Sequence, residues 1–391
     1  MYSQEEINSA VAAGALSQDA AEALRAHVVT MRERPVTDEE HFRLVNSFND
    51  IFVAIGVIIM LLAAGAIGQA IGSGLVAPAV LPNWDTAGEA ERQAWESASM
   101  LRNGVQMALA GVAVAVTAWM LAEFFTRKRR MALPSILLLM AFVGGVFAAS
   151  FGVSLGLMSA DGEMGRVGAV LVAVSGLVAA AGAWFHWQRF MVPITVAAGA
   201  AAVAVTLIAL VFAAIGPDRF DDGANVLMIL IFAAGLAIFA WAMRWDMSDR
   251  ERNTRRADVA FWLHLLAAPM IAHPIFHTLG VTDGGSIGIG GAFGVLVVYV
   301  LFGLVALAID RRALLVSALA YVLAALTFLF DEFGAVELNF ALTALVIGSA
   351  LLSLSAFWSP MRSRLVRNLP AGVQERLPVA AVSFPAETVA T

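Results

Sequence analysis

Residues 51–68 read IFVAIGVIIMLLAAGAIG, eighteen positions without one charged side chain. A helix of that length rises ~27 Å, close to the hydrocarbon thickness of a bilayer. A helix also satisfies its own backbone donors and acceptors, which hydrocarbon cannot do. The stretch therefore reads as a membrane span, and the rest of the chain repeats it. Apolar runs predict spans at about 48–74, 102–125, 131–158, 166–186, 190–215, 225–245, 257–279, 287–309, 313–330 and 337–358. Alternating strand patterns are absent, which argues against an outer-membrane barrel. The expected fold is an all-α polytopic bundle of about ten transmembrane helices behind a small helical N-terminal segment.

Composition supports that reading. Of 391 residues 60% are hydrophobic and only 14% are charged, whereas soluble domains carry roughly a quarter charged. Mean hydropathy is +0.81, too apolar for a soluble core to be covered by polar surface. The absence of cysteine excludes disulfides and thiol chemistry. A net charge of −6 offers no basic field for nucleic acid. The first 46 residues are polar, so no cleavable leader is expected and the run at Ile51 would serve as a retained signal anchor.

Arginine sets the expected orientation. With the N-terminus inside, 20 of the 24 basic residues fall on inner segments, and only Arg92, Arg102, Arg166 and Arg219 fall outside. That alternation follows the positive-inside rule and needs an even number of spans. The strongest topology determinants are Arg127, Lys128, Arg129 and Arg130, then Arg255 and Arg256, then Arg311 and Arg312. Residues 1–46 and 360–391 are thus expected in the cytoplasm, flanking a transmembrane domain at 47–359, with the C-terminal part a mobile tail. The expected location is the bacterial inner membrane, and the lipid bilayer is the one certain partner.

The N-terminal segment carries helix punctuation. Ser3 with Glu6 and Thr37 with Glu40 form capping boxes, Gly14 suits a helix C-terminus, and Ser17 suits an N-cap. Val11, Gly14, Ser17 and Ala20 resemble the turn of a bacterial family of predicted membrane proteins of unknown function (the domain of unknown function 2157 type). There an N-terminal helix pair precedes many spans. The resemblance covers residues 10–24 and the general layout. Leu16 stands where that family usually has Ile, and Ala10 where Trp is common. It implies no activity.

Chemistry-bearing groups are few. The seventh span holds Asp258, Trp262, His264, Pro269, His273, Pro274 and His277. His273 and His277 share a face at i, i+4 and could bind a divalent metal with Asp331 and Glu332, the only cofactor expected. The alternative is a histidine pair that satisfies backbone freed by Pro274. His264 lies nine residues before His273, on the opposite face. The His-x-x-x-His spacing also resembles membrane hydrolases of the ceramidase and progestin-receptor type, but no matching Ser–Asp element accompanies it.

Other intramembrane polar candidates are Gln69, Asn103, Gln106 and Glu123. Asp50, Glu123, His186, Arg244 and Asp310 fall near inner span ends, where they can snorkel. The glycines between Gly284 and Gly294, like Gly68 and Gly72, suit close helix packing rather than a nucleotide loop. Basic residues 250–256 mark topology or meet anionic headgroups. Three function classes follow. One is a small-molecule permease with a cavity lined by Gln69, Asn103, Gln106 and Thr117. The second is a scaffold or sensor whose residues 1–40 meet a protein partner. The third is an enzyme or metal site at His273 and His277.

Overall fold

The computed structural model describes residues 9, 11–14, 16–24, 48–80, 82–83, 85–158, 165–216, 223–252, 254–281, 288–333 and 338–379. The chain divides into two units, Phe42–Pro378 and the terminal segments Met1–His41 with Val379–Thr391. In the terminal unit, Gly14 takes φ +72°, a conformation that suits glycine. Its N–H donates to the Val11 carbonyl at 3.0 Å. Ser17 Oγ accepts from the Ala20 N–H at 3.2 Å and caps the helix through residues 18–24. The Ser3–Glu6 and Thr37–Glu40 boxes lie outside the described residues.

The larger unit is an all-α polytopic bundle. Ten of its helices are long and apolar enough to cross a membrane. In chain order they are α1 (Phe48–Leu75), α2 (Glu89–Ala122), α3 (Ala132–Met158), α4 (Arg166–Phe190) and α5 (Ile194–Ile215), then α6 (Gly223–Ser248), α7 (Arg255–Thr278), α8 (Ile289–Ile309), α9 (Ala313–Glu332) and α10 (Asn339–Ala356). A π-helical turn, Glu123–Lys128, extends α2. Two short helices follow the last span, α11 (Trp358–Arg367) and α12 (Ala371–Gln374). Among the described residues there is no strand.

Most neighbours in sequence pack against each other, as short connections require. Small residues let the backbones of α2 and α3 touch. A Cβ added at Gly111 would lie 2.4 Å from the Ala149 nitrogen, and one at Gly145 would lie 2.8 Å from the Gly111 oxygen. Gly68 and Gly72 bring α1 against α2 in the same way, as expected from the sequence. The same expectation fails at the start of α8. Among the described residues nothing lies within 4 Å of a Cβ built on Gly288 or Gly290, and Gly294 meets only the Leu279 side chain, at 3.1 Å. Gly284 and Gly285 lie outside the described residues.

The most buried span is α7, which packs on α5, α6 and α9. It runs unbroken through Pro269 and Pro274. Two expectations need correction. First, α2 starts at Glu89 rather than near residue 102, because residues 89–101 continue the helix as an amphipathic extension. Second, the tail expected at 360–391 is packed against the bundle as far as Leu377, next to Trp358 at the end of the transmembrane domain. Trp358, Arg362, Val366 and Leu377 are buried, and the Trp358 indole donates to Asp310 at 2.7 Å.

Candidate functional site

The span ends that carry Arg127–Arg130, Arg189, Arg255 and Arg311 form the arginine-rich end of the bundle. An ion cluster is buried there that the sequence reading missed. Asp246 sits near the end of α6 and is 1% exposed. Its Oδ1 accepts from Arg311 Nη2 at 2.6 Å, and its Oδ2 lies 2.8 Å from His264 Nε2. Arg311 Nη2 also donates to the Ala257 carbonyl at 3.0 Å. Arg311 was expected to mark topology alone. It is instead 3% exposed and bridges the α8–α9 turn to α6 and α7. His264 does face away from His273, as the helical spacing requires.

A second cluster lies on the same turn. Asp310 takes φ +57° at the end of α8 and accepts from Arg252 Nη1 at 2.8 Å. Arg252 also donates to the Ile309 and Asp310 carbonyls at 3.2 and 3.1 Å. Burial pulls the Arg252 guanidinium below its ordinary pKa, with Arg311 pushing the same way and Asp310 opposing. Arg312 stacks over the Trp358 ring at 4.7 Å, and Arg362 Nη2 donates to the Pro378 carbonyl at 2.7 Å. Arg250 reaches the Leu377 carbonyl at 2.9 Å. Two of the four arginines at 250–256, Arg250 and Arg252, are thus engaged with protein.

The carboxylate–imidazole pair of Asp246 and His264 looks like half of a catalytic triad. Both side chains are at most 2% exposed, so a water-borne substrate has no access. The arrangement is a structural clamp. His186 also departs from expectation. It does not snorkel, being 0% exposed, with Nδ1 3.3 Å from Thr195 Oγ1. Its ring is enclosed by Trp119, Phe142 and Phe190, and its Nε2 has no partner among the described residues.

The residues expected to hold a metal do not converge among the described residues. His273 Nδ1 lies 2.6 Å from the Tyr321 hydroxyl, across the α7–α9 contact. Asp331 accepts from Asn339, and Glu332 is exposed. Among the described residues no group of three or more His, Cys, Asp or Glu is gathered. On α9, Tyr321 meets His273, and Asp331 follows ten residues later, a rise of ~15 Å.

Of the expected permease lining, Thr117 is half-buried. Gln69 and Asn103 are exposed, and Gln106 is partly buried where its backbone meets Gly72. Glu123 sits in the π turn, held by Arg189 at 2.7 Å and by Arg127 at 3.3 Å.

A different cavity does exist. Its volume is about 520 Å³, and it opens between α4, α5 and α6. Trp184 and Trp187 form one wall, Trp241 and Trp245 the other, and Gly199, Ala200 and Ala204 line the floor. From Thr195 to Leu207 it follows α5 for ~18 Å from the arginine-rich end. Two tryptophans on each rim with small residues between them make a slot, since the small side chains of α5 recess its surface. Aromatic residues with an amphipathic ring also favour the level of the headgroups. The sequence shows the four tryptophans but not that they line one cavity.

Comparison with protein-family models, with curated proteins and with solved structures found no match.

Proposed function

We propose that this integral membrane protein is a permease-type protein for a lipophilic small molecule with an acyl-like body, taken from the bilayer through the slot between α4, α5 and α6. The arginine-rich end is placed in the cytoplasm, so the slot opens toward the inner leaflet of a bacterial inner membrane. One observation carries the reading: tryptophan walls over a small-residue floor, nearly free of polar groups, along part of one span. Ligand sites are concave and mostly apolar, with a few polar groups that orient the ligand. Thr195 lies at the slot's inner end, buried and with its hydroxyl paired to His186.

The test is photolabelling in nanodiscs with a diazirine-bearing fatty acid. Labels are expected to concentrate on α5 and on the facing tryptophans. Gly199→Trp, which fills the floor, is expected to reduce them at least severalfold. Labelling spread evenly over the lipid-facing surface, unchanged by that variant, overturns the reading. Uptake of the same probe into proteoliposomes then separates a permease from a receptor.

A second reading, a scaffold or sensor, is supported by the capped helix at residues 18–24, where Leu24 is 40% exposed. Deleting residues 1–40 tests it. Full activity after the deletion counts against that reading.

A further inference from the structure

A cavity of about 410 Å³ lies at the arginine-rich end, between the π turn, the α4–α5 turn and the start of α7. Its walls include Arg127, Arg130, Arg189 and Arg255, with Asp258 the one carboxylate among them. Glu123 already holds Arg127 and Arg189. No ion pair holds Arg130 or Arg255 among the described residues.

Three spans begin at this cavity: α3 just after Met131, α5 just after Pro193 and α7 at Arg255. Each brings the positive end of its dipole, with Thr254 already capping the Arg256 N–H at the start of α7. The backbone is irregular here as well. The π turn replaces α-helical bonding, and Arg130 adopts φ +53°, uncommon for a residue with a Cβ.

Independently of the charges, Thr126 lines the cavity, is 9% exposed, and its hydroxyl has no hydrogen-bond partner among the described residues. A helical threonine ordinarily bonds a carbonyl one turn back. A buried hydroxyl without a partner costs free energy unless something meets it.

We infer that this cavity binds a phosphate group. Arginine forks match phosphate oxygens, helix starts favour anions, and Thr126 can donate one further hydrogen bond. Basic pockets between spans on the cytoplasmic side are suited to anionic headgroups, so the phosphate can come from a lipid or from a soluble molecule. The inference stands apart from the tryptophan slot, which shares no lining residue with this cavity.

The test uses the full chain purified in detergent. Native mass spectrometry titrates phosphatidylglycerol against phosphatidylcholine, and calorimetry titrates inorganic phosphate. Phosphatidylglycerol is expected to bind at least about tenfold tighter than phosphatidylcholine, with Arg130→Gln/Arg255→Gln removing that preference. Phosphate binding with the same variant dependence, but no lipid preference, assigns the site to a soluble phosphate compound and still supports it.

Arg364→Gln, an exposed arginine elsewhere on the chain, is the control. If it weakens binding as much as the double variant does, the effect is general surface charge and the inference fails. It fails equally if neither probe binds, or if the double variant binds like the parent. Thr126→Val keeps every charge and is expected to weaken binding severalfold. It decides the matter should the double variant lose its fold, and unchanged affinity in Thr126→Val then overturns the inference.

Discussion

Asp246 has two partners and almost no solvent, and that sets what its replacement does. A buried charge left without its counter-ion is penalised far more than the intact pair is rewarded. Arg311→Leu, which strands the Asp246 carboxylate, is therefore expected to lower stability by about 3–5 kcal/mol. Asp246→Leu/Arg311→Leu removes both charges and is expected to recover part of that loss, because no charge is stranded. Thermal unfolding in one detergent measures both. Equal stability of Arg311→Leu and parent would show the cluster to be incidental.

His186 sits at the opposite extreme, with one ring nitrogen unpartnered inside an aromatic cage. Replacing an unsatisfied polar ring with an apolar one of similar shape removes a desolvation cost. His186→Phe is accordingly expected to leave the unfolding temperature unchanged or higher. A fall of the size seen for Arg311→Leu would mean that Nε2 has a partner in the membrane.

At the scale of elements, Gly144 and Gly145 are neighbours on α3 with opposite surroundings. A Cβ on Gly144 meets nothing within 4 Å, whereas one on Gly145 would press on the backbone of α2 at 2.8 Å. Gly144→Ala is expected to stabilise by up to about 1 kcal/mol through helix propensity. Gly145→Ala is expected to destabilise by about 1–3 kcal/mol, since backbone cannot swing aside as a flexible side chain can. Thermal shift on the two variants separates a packing glycine from an idle one.

Sequence spacing showed small residues in the first span and at the start of the eighth. It could not show which glycines face a helix and which face lipid, because bilayer and helix neighbour are equally apolar. The expectation at Gly68 and Gly72 therefore held, while that at Gly288 and Gly290 did not.

For the whole molecule, orientation is the decisive property. A reporter fused after Arg130 is expected to be active only as a cytoplasmic enzyme. One fused between α1 and α2, near Asn83, is expected to be active only on the other side. The reverse pattern would move both the slot and the arginine cavity to the outer face and overturn their assignments.

The span count was readable from the chain because a hydrocarbon layer imposes one length on every helix that crosses it. All ten expected spans have a counterpart helix, and the largest boundary error falls at Glu89, where the helix leaves the apolar run. The same periodicity placed His264 and His273 on different faces. Partnership was not readable. Asp246 lies between Trp245 and Met247 at the end of an apolar run, a setting that also suits a snorkelling interfacial carboxylate. Only the fold of α6 against α7 and the α8–α9 turn gave it His264 and Arg311.

Local composition thus determined the fold class, the number of spans and the side that collects arginine, since burial length and charge act on each segment separately. The tertiary structure decided which charges are paired, that four tryptophans form a slot, and that three helix starts share one basic cavity. Those features join residues tens of positions apart in sequence, and only packing sets their distances.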